Sequence, residues 1–235
     1  LVFVFDDEAD VDERAPQVYA TLVRRLISAL TVHTAAGTLF DIDTRLRPNG
    51  AAGLLVTNMA AFVRYQLRSG DNAAWVWEHQ ALTRARFCTG TPALRAAFDA
   101  VRADVLQQPH DPAELAAEIV AMRAKIADTH TEPDGRFDLK HSRGGLVDIE
   151  FIVQYLVLRD SARHPQLIDN AGNIALLQRA AECGLIDPAL AQTVANAYRD
   201  FRARQHRLRL DGLKAEVDPG VVAPARDAVR TLWRQ

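Results

Sequence analysis

The most informative chemistry in the sequence lies in residues 39–47, where apolar and charged side chains alternate. Alternation with a period of two is typical of a strand with one polar face. Asp41 and Asp43 would share that face with Arg45 and Arg47, each about 6.6 Å from the next. Carboxylates suit Mg²⁺, and arginines bind phosphate oxygens, so the pattern fits a Mg-nucleotide site. Opposite charges that pair along a solvated strand face explain the same spacing.

A second candidate is Glu78, which lies in a segment predicted to be helical. Spacings of three and four residues place Glu78 on one helix face with Trp75 and Leu82. A carboxylate on an apolar face needs an arginine, a backbone donor or a metal as its partner. Two interpretations therefore stay open for Glu78: a role in a site, or a buried ion pair with Arg84 or Arg86.

A third candidate is a turn that precedes an almost wholly apolar helix. Its basic residues, glycines and acidic residues are Lys140, Arg143, Gly144, Gly145, Asp148 and Glu150. Glycines allow a ligand to approach the backbone, and a helix N-terminus attracts anions. The two carboxylates already complement the helix dipole and would repel phosphate unless a cation intervened. The segment is thus either a tight turn with acidic capping or a loop against a Mg-triphosphate, with Lys140 or Arg143 near phosphate.

The strands and helices that position these residues are predicted from the periodicity of apolar residues and from the positions of proline and glycine. Residues 1–5 predict a strand covered on both faces. A helix is predicted over 16–30, with an apolar stripe of Val18, Leu22, Leu26 and Leu30. Further helices are predicted over 59–67, 73–86, 93–106, 112–127, 146–159, 173–182, 188–210 and 224–233. The prolines of 107–112 predict a domain boundary, with an α/β part over 1–107 and a helical bundle over 108–235.

The composition of the chain argues against several classes of protein function. The chain has 235 residues, 49% of them apolar, with a net charge of −2. No bulk charge favours nucleic acid, and no apolar stretch approaches the roughly 18 residues of a membrane span. The two cysteines, Cys88 and Cys183, have no metal-ligand spacing. These features predict a cytoplasmic protein with reduced thiols that binds neither nucleic acid nor membrane.

Together these segments resemble the glutamine-synthetase adenylyltransferases. The resemblance covers most of the chain, in order, and is carried by residues 40–48, 53–56, 60–66, 77–86 and 137–158. Those enzymes contain two similar nucleotidyltransferase units, one that removes AMP and one that adds it. Thr44, His79 and the acidic Asp148 make this chain similar to the C-terminal, adenylylating unit.

The resemblance implies an α+β protein: part of a polymerase-β-like nucleotidyltransferase domain, then a helical bundle. It implies Mg²⁺ as cofactor, ATP as donor, a tyrosine of glutamine synthetase as acceptor and a PII-type signal protein as regulator. It makes Asp43 the catalytic third metal ligand, with Asp41 beside it and Arg45, Arg47, Lys140, Arg143, Gly144 and Gly145 near the nucleotide. The other two metal-binding aspartates of the family precede residue 1. The chain by itself is therefore expected not to transfer AMP.

Two alternatives are retained. One is a related nucleotidyltransferase with another acceptor, such as a uridylyltransferase of the PII protein. The other is a non-catalytic module whose helices bind glutamine synthetase or a PII-type regulator, and whose binding would not depend on Mg-ATP.

Overall fold

The computed structural model describes residues 1–6, 14–38, 41–69, 72–131 and 133–235, which are mostly helical. The strands are β1 (Phe3–Phe5), β2 (Val56–Asn58), β3 (Phe137–Asp138) and β4 (Glu216–Val217). The helices are α1 (Ala15–Thr31), α2 (Met59–Gln66), α3 (Val76–Leu82), α4 (Pro92–Leu106), α5 (Pro112–Asp128), α6 (Leu146–Asp160), α7 (Asn173–Glu182), α8 (Pro188–Leu210) and α9 (Pro219–Trp233). Helices with a few short strands agree with the predicted α+β class.

The chain divides into two compact units, Leu1–Val105 and Leu106–Gln235. The assignment of 1–107 to a nucleotidyltransferase domain and of 108–235 to a helical bundle stays a prediction. Among the residues that the structure describes, no helix combines the length and the apolar character that a bilayer crossing needs.

The first unit contains a parallel pair of strands covered by α1. β1 pairs with β2 in the register Phe3 to Val56, and Phe5, Val56 and Val23 of α1 form a small buried cluster. The predicted stripe of α1 is wrong. Val18, Leu22 and Leu26 are exposed, and the face that bears Val23 packs on the strands. A 17-residue helix with apolar residues on more than one face leaves the choice of buried face to its neighbours.

The second unit is built around α6, the most apolar helix of the chain. α6 packs against α5, α7, α8 and α9, and its residues Ile149, Val153 and Val157 are almost fully buried. Three of the helices of this unit begin with an aspartate cap followed by proline, at Asp111, Asp187 and Asp218. Each carboxylate accepts from an amide of the first turn, which stabilises the helix start.

Two predicted helices need correction, and one pair of strands was not predicted. α9 begins at Pro219 rather than at Pro224, because the Asp218 cap starts the helix one turn earlier. α3 is shorter than predicted and ends at Leu82. The guanidinium of Arg102 donates to the carbonyls of Leu82 and Thr83, which are then not available to continue the helix. The antiparallel pair of β3 and β4 was not predicted, since two-residue strands carry no periodicity.

Candidate functional site

The predicted strand over 39–47 is wrong for the residues that the structure describes. Residues 41–47 form a loop, and Leu39 and Phe40 lie outside the described residues. The polar side chains bond to the loop's own backbone, which replaces the ladder that a strand would need. Asp41 is exposed in this loop.

Asp43 is the carboxylate of this loop that is held in a defined geometry. Its Oδ1 accepts from the backbone amide of Arg45 at 2.8 Å, and its Oδ2 accepts from Nη2 of Arg45 at 2.6 Å. Both side chains remain exposed, at 55% for Asp43 and 81% for Arg45. Hydrogen bonds from Arg45 lower the pKa of Asp43 from 3.8 to about 2. Asp43 is therefore a solvent-facing carboxylate that is ionised throughout the physiological pH range.

Arg47 is used differently from Arg45. Its guanidinium donates to the carbonyls of Thr44 at 2.9 Å, Ala51 at 3.0 Å and Gly53 at 3.2 Å. These bonds close the loop 44–53 onto itself. Arg47 is thus committed to backbone carbonyls, whereas Arg45 lies at the surface and bonds only Asp43 among the described residues.

A buried polar cluster anchors this loop to the first unit. Tyr65 is 5% exposed; its hydroxyl accepts from the amide of Asn49 at 3.1 Å and donates to Oε2 of Glu78 at 2.8 Å. Glu78 Oε2 also accepts from the amide of Trp75 at 3.2 Å. Burial raises the pKa of both Glu78 and Tyr65. The predicted need of Glu78 for a partner is confirmed, and its donors are a hydroxyl and a backbone amide.

The cluster corrects one expectation and adds residues that the sequence did not single out. Trp75 is 66% exposed and does not share the buried face of Glu78. Tyr65 and Asn49 were missed as members of the cluster. The three-residue spacing of Phe62 and Tyr65 marks a buried helix face, but nothing in the sequence pairs that face with Glu78.

The turn before α6 contains a second aspartate–arginine pair, which is buried. Asp148 Oδ1 accepts from Nε of Arg123 at 2.5 Å, and Asp148 Oδ2 accepts from the amide of Gly144 at 2.6 Å. Arg123 also donates through Nη2 to the carbonyl of His141 at 2.7 Å. The side chains of Arg123 and Asp148 are 0% and 3% exposed. This arrangement joins α5, the turn and α6.

The two glycines of the turn serve close packing. Gly144 has a φ of +90°, and a Cβ there would lie 2.8 Å from the carbonyl oxygen of Arg226 in α9. The amide of Gly145 donates to the carbonyl of Ser142 at 2.9 Å. The amides of both glycines are therefore bonded within the chain. Their predicted nucleotide contact stays a prediction, and the exposed side chains of Lys140 and Arg143 remain accessible.

Glu150 lies on α6 beyond this turn and faces α8. Its Oε1 accepts from the hydroxyl of Tyr198 at 3.4 Å. Burial, followed by the charge of Glu150, raises the pKa of Tyr198. Asp43 with Arg45 belongs to the first unit, and Lys140 to Glu150 belong to the second.

The described residues do not form a complete metal site by themselves. They contain no group of three or more His, Cys, Asp or Glu side chains placed to hold a metal ion. Asp43 and Asp41 are exposed oxygen donors, and Mg²⁺ commonly takes one or two carboxylates together with substrate phosphates. The chemistry of these donors therefore fits Mg²⁺.

Sequence comparison defines the class of protein. Residues 1–101 match the family model of glutamate-ammonia ligase adenylyltransferase, and residues 114–217 match that of PII-uridylyltransferase. Both descriptions name enzymes that transfer a nucleotidyl group, and the exposed, ionised Asp43 lies in the first matched segment.

The relatives make the identification specific. The chain is 61% identical over 236 aligned residues to the bifunctional glutamine synthetase adenylyltransferase/adenylyl-removing enzyme of Ralstonia nicotianae, and 59% identical to that of Burkholderia mallei. The alignments cover 100% and 99% of this chain but 24% and 25% of the two relatives. The chain is thus a relative of these bifunctional enzymes and spans about a quarter of their length. The resemblance predicted from its motifs is confirmed.

Proposed function

We propose that this chain forms part of an enzyme that transfers AMP from Mg-ATP to a tyrosine of glutamine synthetase and so controls nitrogen assimilation. The observation that carries the proposal is identity of about 60% along the whole chain to enzymes named for that activity. The exposed, ionised Asp43 adds a chemical reason. The first unit would be part of a polymerase-β-like nucleotidyltransferase domain, and the second a helical bundle.

Asp43 is suited to a metal site because its pKa is low before any metal binds. Arg45 holds the carboxylate from one side and leaves it open to solvent. Asp43, with Asp41 beside it, would hold Mg²⁺. When bound, Mg²⁺ neutralises charge on the phosphates and orients them. The exposed guanidinium of Arg45 would then bind phosphate oxygens.

Arg47 has a supporting role in this proposal. Because its guanidinium bonds three backbone carbonyls, it keeps the loop closed behind Asp43. In the first unit, the charge near the phosphates would then come from Arg45.

The experiment measures AMP transfer from labelled ATP to unmodified glutamine synthetase. The chain would be tested alone and within a full-length adenylyltransferase, each with and without Asp43→Asn. We expect the variant to slow transfer by the full-length enzyme by about 10²–10³-fold, the range found when a charge-stabilising group is removed from an active site. The chain alone is expected to transfer no AMP.

The matched control is Asp169→Asn. Asp169 is also an exposed aspartate paired with an arginine, at 3.0 Å from Arg179, but it lies in the second unit. We expect Asp169→Asn to leave transfer unchanged. Full activity of Asp43→Asn would disprove the site, whereas an inactive parent enzyme would disprove the function.

The match of residues 114–217 to the PII-uridylyltransferase model supports a second candidate, in which the second unit binds a PII-type signal protein. Binding that persists after Mg-ATP is removed would identify such a module. The names of the relatives favour an enzyme over a module that only binds glutamine synthetase.

A further inference from the structure

A small pocket of the second unit lies between the end of α5 and the turn after β3. Its volume is about 130 Å³, and the polar residues of its lining are Arg123, His130, Thr131, Asp138, His141, Ser142 and Arg143. We call it the histidine pocket. Its residues belong to the second unit, whereas the loop of Asp43 belongs to the first.

Arg123 is the unusual member of this lining. Its Nε and Nη2 donate to Asp148 and to the carbonyl of His141. The side chain is 0% exposed, yet its Nη1 has no hydrogen-bond partner among the described residues. A buried charged donor without an acceptor is unfavourable, so the group is suited to an acceptor that enters from outside the chain.

The two histidines add nitrogen atoms to the same pocket. Their rings stack with centroids 3.6 Å apart. His130 Nδ1 lies 2.9 Å from the carbonyl of Ile126, and His141 Nδ1 lies 3.2 Å from Oδ2 of Asp138. Because both acceptors require a proton on Nδ1, we assign the Nδ1–H tautomer to each neutral ring. Nε2 of each neutral ring then carries a lone pair, which accepts a hydrogen bond from a ligand.

Asp138, the acidic residue of the pocket, is engaged by the chain. Its Oδ1 accepts from the amides of Lys140 at 2.7 Å and His141 at 3.1 Å. The Ser142 hydroxyl accepts from the amide of Asp138 at 3.0 Å, which leaves its own proton for another acceptor. Arg143 is exposed and adds positive charge at the rim. The donors of the pocket are therefore Arg123, the Ser142 hydroxyl and Arg143.

We propose that the histidine pocket binds a small oxyanion of the phosphate class, with Nη1 of Arg123 as its buried donor. The Ser142 hydroxyl is a second donor, and the Nε2 lone pairs of the two imidazoles accept the P–OH proton of a hydrogen phosphate. A volume of about 130 Å³ is well below the roughly 300 Å³ at which sites for drug-sized ligands begin. The ligand is therefore free phosphate or the terminal phosphate of a larger molecule whose remainder stays outside. This site does not depend on AMP transfer.

The test is calorimetric titration of the 235-residue chain with inorganic phosphate, together with ¹⁵N NMR of the imidazoles. We expect saturable binding and shifts of the His130 and His141 signals. Arg123→Lys keeps a positive charge for Asp148 but removes the guanidinium fork, and we expect it to weaken binding at least about tenfold. A thermal unfolding curve shows whether this variant folds.

His130→Ala provides a second variant, since His130 is exposed and its loss is compatible with folding. We expect it to weaken phosphate binding, whereas His206→Ala, which removes another exposed histidine of the same unit, leaves binding unchanged. Titration with ATP distinguishes the sources of the phosphate. Equal imidazole shifts with ATP and phosphate assign the pocket to a phosphate group in either form, and shifts with phosphate alone assign it to the free ion.

Two outcomes would overturn the proposal. One is the absence of saturable binding by either ligand, which would mean that water alone satisfies Arg123. The other is unchanged affinity in folded Arg123→Lys and in His130→Ala, which would place any bound phosphate elsewhere on the chain.

Discussion

Two aspartate–arginine pairs of this protein occupy opposite environments. Asp43 and Arg45 are two residues apart in an exposed loop of the first unit, and Asp148 and Arg123 are 25 residues apart and buried in the second. Water screens the first pair, so it contributes little to stability, and its carboxylate stays accessible. The second pair is buried and desolvated, so each charge is compensated by the opposite charge of its partner rather than by water. The same two residue types are thus accessible to a ligand in one region and hold helices and a turn together in the other.

The largest expected effect comes from breaking the buried pair. Asp148→Asn removes the charge opposite Arg123, and we expect it to lower the free energy of unfolding by about 3–5 kcal/mol. Asp43→Asn is the matched variant in the exposed pair, and we expect no measurable loss of stability. Urea unfolding of both variants makes the comparison. Similar losses would show that burial does not separate the two pairs.

An intermediate effect is expected at the anchor of the exposed loop. Tyr65→Phe leaves the Asn49 amide and Glu78 without the hydroxyl that joins them. We expect a loss of about 1–3 kcal/mol, the range for a buried polar group without a partner, and faster amide exchange at Asn49. Tyr19→Phe is the control, because Tyr19 is 40% exposed and contacts Phe5 through its ring. Slow exchange at Asn49 in Tyr65→Phe would show that other contacts hold the loop.

The smallest effect concerns the titration of Asp43. Its pKa of about 2 is lower than the ordinary 3.8 because Arg45 bonds the charged carboxylate. A lowered pKa means that the stabilisation by this pair is present above pH 3.8 and is lost as the pH falls through about 2. We expect Arg45→Ala to return the pKa of Asp43 towards 3.8 in a carboxyl NMR titration. Arg64→Ala, which removes another exposed arginine of the first unit, is expected to leave it near 2. A pKa of Asp43 near its ordinary value in the parent chain would contradict the paired geometry.

The helices could be read from the sequence to different degrees. α7 and α8 begin and end where predicted, since apolar periodicity fixes their bodies and Asp187 with Pro188 fixes one start. The same Asp-Pro signal at Asp218 was overlooked, and α9 was therefore predicted one turn too short. The buried face of α1 could not be predicted, because apolar residues lie on both sides of Val23 and contact with β1 and β2 selects between them.

The candidate sites, too, could be predicted only in part from the sequence. Asp43 and Arg45 could be identified as a pair because they are neighbours in sequence, but the strand predicted for them was wrong. Alternation of apolar and charged residues does not say what each side chain bonds. Here Asp43 bonds the side chain and the amide of Arg45 within a loop. The role of Arg47 as a clamp depends on the carbonyls of Ala51 and Gly53, which only the folded loop presents.

The sequence by itself determined the helical second half, the motifs that relate the chain to glutamine-synthetase adenylyltransferases, and the residue types available for metal and phosphate. These properties are local, or depend on the order of residues along the chain. Only the tertiary structure decided that Asp148 meets Arg123, that Glu78 meets Tyr65, and that a buried guanidinium nitrogen faces no acceptor of the described chain. Such contacts join residues 13 to 25 positions apart, and their geometry and burial are set by packing of whole helices rather than by any local pattern.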